Sequence, residues 1–329
     1  MVLGKGIYLS VRLETVHNRL VCKAKSMTLT DEILKLKRKK KAVILAHNYQ
    51  RPEIQDIADY VGDSIELSRR AVEEKEAEMI VFSAVDFMAE SAAILNPEKK
   101  VLLPSFGARC PMAQMLTVHE IKRWKVLYPL VPVVLYVNTL ASAKAYCDIC
   151  CTSANAAEVV NSVNAETVLF GPDRNLAEHV QRETGKTIIP IPERGFCPTH
   201  VLFQPEDTLM LKTRYPDAVS MVHPECTVEM QDIADFIGST SQMCRYVKKS
   251  NAETFIVATE EGILHRLRKE NPGKKFVLAY EDAVCPNMKL NTLERLYASL
   301  KEEKHVVIIP EAVAKKARKA LERMFELKN

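Results

Sequence analysis

Short apolar runs rich in β-branched residues recur along the chain. Most are followed by a longer stretch in which apolar positions return at helical spacing among charged ones. Val43-Ile44-Leu45, Met79-Ile80-Val81-Phe82, Val101-Leu102-Leu103, Val133-Val134-Leu135 and Val168-Leu169-Phe170 begin the series. Ile188-Ile189-Pro190, Met221-Val222 and Phe255-Ile256-Val257 continue it. Continuously apolar runs alternating with amphipathic segments predict parallel strands covered on both faces by helices, an α/β fold. A leading helix is expected over about residues 30–41, and a closing helix over 311–327 that packs across the assembly.

The pattern repeats. Gln55-Asp56-Ile57-Ala58-Asp59-Tyr60-Val61-Gly62 returns as Gln231-Asp232-Ile233-Ala234-Asp235-Phe236-Ile237-Gly238, an ungapped offset of 176 residues. Strands ending in His47 and His223 are each followed, 17 residues on, by a hydroxyl, Ser64 and Thr240. Between them a more diverged copy runs from Tyr136 to Ser153, again 17 residues. Asp59, Asp148 and Asp235 each stand five residues before the hydroxyl. Each copy has a second strand ending in an acid (Asp86, Asp173, Glu260) and closes on a Cys-Pro pair, at Cys110, Cys197 and Cys285. Internal repetition at this period predicts a triplicated α/β unit, three pseudo-symmetric three-layer αβα domains around a central cavity. The expected boundaries are 1–41 for an extension and leading helix, then 42–130, 131–217 and 218–329, the last including the closing helix.

Ligands of parallel α/β sheets bind beyond the carboxyl ends of the strands, where His47, Tyr136 and His223 are expected. Ser64, Ser153 and Thr240 read as helix N-caps. A cap need only satisfy orphan N–H groups, yet three helix N-termini on one axis would also favour a polyanion carrying carboxylates or phosphate. Tyr49, Asn138 and Glu225 each lie two residues beyond the strand-end residue, and His200 lies three after Cys197, where a general base would sit. Asp86, Asp173 and Glu260 read as structural caps of neighbouring helices.

Any one buried cysteine is ordinarily a small apolar filler. Recurrence in register three times changes that. Soft thiolates favour zinc or an iron–sulfur cluster, and a closed zinc site wants four ligands where the register supplies three. A [4Fe–4S] cluster on Cys110, Cys197 and Cys285 leaves one iron open as a Lewis acid. Cys147-Asp148-Ile149-Cys150-Cys151 has CxxC spacing but falls where the other copies carry no cysteine, so it reads as structural. Cys226, just past the His223 strand end, is a candidate to approach the cavity; Cys22 and Cys244 read as incidental.

Composition narrows the function further. The net charge of +4 sits wholly in residues 1–26, where Lys5, Arg12, Arg19, Lys23 and Lys25 face only Glu14; the other 303 residues carry 41 charges of each sign. A neutral body offers no field for nucleic acid or an anionic membrane. Aromatics make up 6% of residues with one Trp, which disfavours a base-stacking platform. No apolar run approaches the roughly 18 residues of a membrane span, and the basic leader lacks the apolar core of a secretory signal. A cytoplasmic protein with reduced thiols is expected, with Met27 a candidate for its natural first residue.

These motifs resemble the quinolinate synthase family from about Thr30 onward. They are Ala46-His47-Asn48-Tyr49-Gln50, Phe87-Met88-Ala89-Glu90, Leu135-Tyr136-Val137-Asn138, Thr152-Ser153-Ala154-Asn155-Ala156, Gly171-Pro172-Asp173, Phe196-Cys197-Pro198-Thr199-His200, Val222-His223-Pro224-Glu225-Cys226, Gly238-Ser239-Thr240 and Ala283-Val284-Cys285-Pro286-Asn287-Met288. The resemblance implies condensation of iminoaspartate with dihydroxyacetone phosphate to quinolinate in de novo NAD biosynthesis, with loss of phosphate and two waters. It implies a [4Fe–4S] cluster on Cys110, Cys197 and Cys285. It implies substrate binding by His47, Ser64, Tyr136, Asn138, Ser153, His223, Glu225 and Thr240, and proton transfer by Tyr49, His200 and Glu225. An L-aspartate oxidase or dehydrogenase is the candidate supplier of iminoaspartate. Two other readings stand beside it: a diphthamide-synthesis-like iron–sulfur enzyme on a similar three-domain plan, and a non-enzymatic iron–sulfur redox module.

Overall fold

The computed structural model describes residues 27–326, so the expectations for the basic leader, Cys22 and Leu327 fall outside the described residues. Twelve strands form three sheets. The first holds β1 (Ala42–His47), β2 (Tyr60–Gly62), β3 (Met79–Ser83) and β4 (Lys100–Leu102). The second holds β5 (Val133–Tyr136), β6 (Ile149–Cys151), β7 (Thr167–Gly171) and β8 (Thr187–Pro190), and the third β9 (Val219–Val222), β10 (Phe236–Ile237), β11 (Thr254–Ala258) and β12 (Lys275–Leu278). All pairings among these strands are parallel, with one isolated antiparallel bridge from Leu102 to Val306, and each sheet has the same order: β2-β1-β3-β4, β6-β5-β7-β8 and β10-β9-β11-β12. Fifteen α-helices connect and cover them, which makes the α/β layering concrete.

The recurring Asp has a structural reason. The side chains of Asp59, Asp148 and Asp235 accept the backbone N–H of Ile44, Val133 and Ser220, each at 2.8 Å. Each therefore ties the start of a short edge strand (β2, β6 or β10) to the opening of the central strand beside it. Gln55 and Gln231 also repeat a task. Gln55 Nε2 donates to the carbonyls of Asn48 and Gln50, and Gln231 Nε2 to those of Pro224 and Cys226, bracing the turn that leaves β1 and β9.

The leading helix, Leu29–Lys39, starts where its sequence directs. Asp31 N–H donates to Thr28 Oγ1 and Thr28 N–H donates to Asp31 Oδ2, a reciprocal cap, and three basic residues occupy the last turn. This helix lies on helix Leu293–Glu302, and Ile33, Ile44, Leu296 and Leu300 are fully buried together. The closing helix, Glu311–Glu326, buries Ala317, Ala320, Leu321 and Met324 against helix Asp86–Leu95, helix Ala141–Lys144 and β6. It thus bridges the first two sheets. Among the described residues no helix is long and apolar enough to cross a membrane.

Candidate active site

The strand-end residues meet. Tyr49 leaves the turn after β1, His200 stands on a one-turn 3-10 helix (His200–Leu202) in the stretch following β8, and Thr259 directly follows β11. Tyr49 Oη is 2.6 Å from Thr259 Oγ1 and 3.3 Å from His200 Nε2, and His200 Nε2 is 2.9 Å from Thr259 Oγ1. One side chain from each sheet therefore enters a single hydrogen-bonded group. On its other nitrogen, His200 Nδ1 lies 2.8 Å from Glu225 Oε2 and 3.1 Å from Cys197 Sγ.

Glu225 is the hub. Its Oε1 accepts from Tyr136 Oη at 2.7 Å and from Asn138 Nδ2 at 3.3 Å, and the residue is 3% exposed. Burial alone would raise its carboxyl. His200 and His223 alongside it, with hydrogen bonds from His200 and Tyr136, outweigh burial and hold it below the usual carboxylate range. The Glu225 carboxylate accepts from His200 Nδ1, which leaves Nε2 facing Tyr49 and Thr259. Burial, reinforced by the Glu225 charge, pushes the Tyr49 phenol well up, so Tyr49 keeps its proton. His47 packs edge-on against Tyr49, and His223 stacks on His200 with ring centres 4.5 Å apart. Burial holds both imidazoles down at about 3, so both are neutral donors and acceptors near pH 7.

The three hydroxyl positions are corrected in one respect: none is an N-cap. Helix Ser64–Glu73 is capped by Asp63, whose carboxylate reaches both Ile65 N–H and Glu66 N–H, and helix Thr240–Lys249 is capped by Ser239 with Gln242. Ser153 lies in the turn ahead of helix Ala156–Ser162. The residue one earlier wins the cap in the first and third cases, because it is the one with extended backbone. Thr240 Oγ1 instead accepts from Asn48 Nδ2 at 2.8 Å, linking the third unit to the first. Ser153 lines a cavity of about 530 Å³ with Asn155, His179, Gly238 and Gln242, residues of the second and third units.

Cys110 is the N-cap of helix Pro111–Met115, and Cys197 and Cys285 each stand three residues before a 3-10 helix, His200–Leu202 and Met288–Leu290; the three thiols are near enough for each to act on the others' charge. Burial raises all three thiols first; at Cys197 the Glu225 charge and then Cys110 and Cys285 add to it, and at Cys110 the Cys285 and Glu225 charges do. Three partly buried thiols with raised pKa values favour ionisation only if a cation is held among them. Cys197, His200 and Glu225 form a second donor set, with their ligand atoms within 4.8 Å of one another. The other cysteines lie elsewhere. Cys150 and Cys151 are buried in β6 with Cys147 Sγ 3.8 Å from Cys150 Sγ, and Cys244 is buried in the third sheet's core. Cys226 does not turn toward the site; it packs with Phe203 and Met230 and directs its thiol to the Ala258 carbonyl at 3.5 Å.

The model of the family described as quinolinate synthetase A protein matches residues 31–326. This chain belongs to the quinolinate synthetase A family. Quinolinate synthase of Pyrococcus horikoshii is 52% identical over 301 residues, covering 92% of this chain and 99% of that protein. Quinolinate synthase of Methanothermobacter thermautotrophicus is 52% identical over 299 residues, covering 91% and 98%. That of Thermotoga maritima is 50% identical over 299 residues, covering 91% and 99%. As a quinolinate synthetase A member the chain is an enzyme, and family and donor set together indicate a metal cofactor. The diphthamide-type and non-enzymatic readings give way to this membership.

Two residues of the group escape the sequence patterns. Thr259 has no counterpart in the repeat's spacing; its one signal is its position directly before Glu260. Lys289 Nζ donates to the Tyr49 carbonyl and to Glu260 Oε1, both at 2.9 Å, and its signal is the Cys285-Pro286 turn it follows.

Proposed function

We propose that this chain is a quinolinate synthase that condenses iminoaspartate with dihydroxyacetone phosphate, releasing phosphate and two waters, in the cytoplasmic synthesis of NAD. The observation that carries the reading is Cys197 Sγ lying 3.1 Å from His200 Nδ1 in the Tyr49–His200–Glu225 group, with Cys110 and Cys285, the equivalent cysteines of the other two units, near enough to act on its charge. Three thiols, one beyond each sheet, suit a [4Fe–4S] cluster, which when bound supplies an open iron that polarises a substrate hydroxyl or carbonyl. The three like-ordered sheets support an internal triplication, with units near 42–130, 131–217 and 218–329 around the site.

The chain's own residues supply the rest. His47, Ser64, Tyr136, Asn138, Ser153, His223 and Thr240 bind the carboxylates and phosphate through neutral imidazole, hydroxyl and amide groups. Neutral donors suit such a site, since they do not trap an anionic product as a buried lysine would. His200 Nε2 accepts a proton, Tyr49 Oη supplies one, and the Glu225 carboxylate holds the imidazole in the tautomer that allows both. Burial of this group keeps water from competing for the transferred proton.

Anaerobic reconstitution with iron and sulfide, then assay with iminoaspartate and the triose phosphate, tests the reading. About four irons and four sulfides per chain with quinolinate as product are expected. Cys110→Ala, Cys197→Ala or Cys285→Ala should each abolish both; cluster and product surviving Cys197→Ala would sink the assignment. A single ion on Cys197, His200 and Glu225 is the second reading, favoured by their 4.8 Å grouping. It predicts one metal per chain, no acid-labile sulfide, and a metal content indifferent to Cys110→Ala.

A further inference from the structure

The acids that end the third strand region of each sheet do more than cap helices. Cys110 N–H donates to Asp86 Oδ1, Cys197 N–H to Asp173 Oδ2 and Cys285 N–H to Glu260 Oε1, each at 3.0 Å. A second bond runs the other way in each unit. Asp86 N–H donates to the Ala108 carbonyl, Arg174 N–H to that of Gly195, and Glu261 N–H to that of Ala283. The accepting carbonyl lies two residues before the cysteine every time, so each thiol-bearing loop is pinned at its cysteine and again two residues before it. The same carboxylates also accept a helix-start N–H: Phe87 for Asp86, Leu176 for Asp173 and Gly262 for Glu260.

The details differ in a way that makes the contact itself the common element. Asp86 stands three residues beyond the end of β3, whereas Asp173 and Glu260 stand two beyond β7 and β11. The third side chain is one methylene longer. Three covalently different arrangements arrive at one hydrogen bond of one length. Capping alone would not require this, since a cap needs only the helix N–H. Asp173 and Glu260 are fully buried, and Asp86, whose side chain is 13% exposed, adds Gln114 Nε2 as a donor at 3.0 Å. Fully buried carboxylates carry a desolvation cost that a merely structural loop has no need of.

We propose that Asp86, Asp173 and Glu260 are positioning residues for the metal centre, holding the three cysteine ligands at the separation the cluster requires. The inference rests on the iron–sulfur reading of Cys110, Cys197 and Cys285. Each acid acts through the backbone of its cysteine. Groups placed behind metal ligands typically change metal affinity by about 10–100-fold when removed.

The test uses the full chain reconstituted anaerobically, with Asp86→Ala, Asp173→Ala and Glu260→Ala beside Asp173→Asn and Glu260→Gln. The readouts are iron release to a ferrous chelator at 25 °C, the electron paramagnetic spectrum of the reduced protein, and the thermal midpoint of the metal-free form. The alanine variants should release iron at least about 10-fold faster, with a broadened spectrum. Asn and Gln, which keep an acceptor oxygen, should restore release to within about threefold of the parent. Asp86→Ala, at the least buried of the three sites, serves if the buried variants fail to fold. Release at the parental rate from alanine variants that load fully overturns the inference while leaving the cluster intact. A lowered midpoint with unchanged release and spectrum overturns it too, since that is what capping alone predicts. A parent chain that takes up no iron and sulfide overturns the cluster reading as well.

Discussion

Thr259 touches both Tyr49 and His200 with one hydroxyl, although a hydroxyl has a single proton to give. With the His200 Nε2 lone pair turned inward by Glu225, Thr259 donates to His200 and accepts from Tyr49, or the two phenolic and hydroxyl protons shift together. Thr259→Val keeps the shape and removes the relay. A fall in kcat of about 10²-fold with KM nearly unchanged is expected, and Thr259→Ser should recover most of it. Equal losses in kcat and in fold stability would show a packing role instead. Glu225→Gln goes further: without the negative charge the His200 tautomer is no longer dictated, and kcat should fall by at least about 10³-fold while the three cysteines still load metal. Iron content and single-turnover rate measured on the same sample separate the two effects.

The turn after β11 approaches the backbone of Tyr49 so closely that a Cβ on Gly262 would lie 2.6–2.8 Å from Tyr49 backbone atoms. Its φ of −58° is ordinary, so the demand for glycine is purely steric. Gly262→Ala must push the Tyr49 turn away from His200, costing about 1–3 kcal/mol of stability and an order of magnitude or more in kcat. Gly273→Ala, at a site with nothing within 4 Å of the added carbon, is the matched control and should leave both unchanged. Among these elements the sequence is legible where a run is long enough to show its period. The eight apolar runs are all strands, and the Thr28–Asp31 start of the leading helix is where its cap is. Four edge strands were not read from the sequence: β2, β6 and β10, of two or three residues, carry no period, although the Asp that ties each of them is conspicuous, and β12 opens on Lys275 with only three apolar residues after it. The register of the three Cys-Pro pairs is matched in the fold by a repeated contact, each cysteine N–H donating to the acid that follows the third strand of its sheet. It could not assign the caps correctly, since Asp63 and Ser239 compete with their neighbours and only backbone angles decide. Thr259 and Lys289 were out of reach for a different reason: each acts across sheets, and a repeat carries no information about what faces it.

On the scale of the whole molecule, His47 and His223 are buried neutral, with folded values near 3 against an ordinary 6.5. Between those values the unfolded chain binds the extra protons, so stability is lost as pH falls below about 6.5 and is regained as it rises. The slope is about 1.4 kcal/mol per pH unit for each group. Denaturant midpoints of the metal-free protein should therefore drop between pH 7 and pH 5, and a His47→Asn, His223→Asn double variant should flatten that part of the curve. A parallel curve for the double variant would mean that neither imidazole is held neutral.

The distribution of thiols over three separate sheets has a consequence for biosynthesis. A nascent polypeptide that has extruded the first two lobes offers only two of its three sulfur donors, and the closing helix has not yet clamped the first lobe to the second. On the proposed cluster reading, loading waits until translation has passed Cys285 and that lobe has folded. Ribosome-bound intermediates arrested before that point should remain colourless under anaerobic conditions that turn the released protein brown.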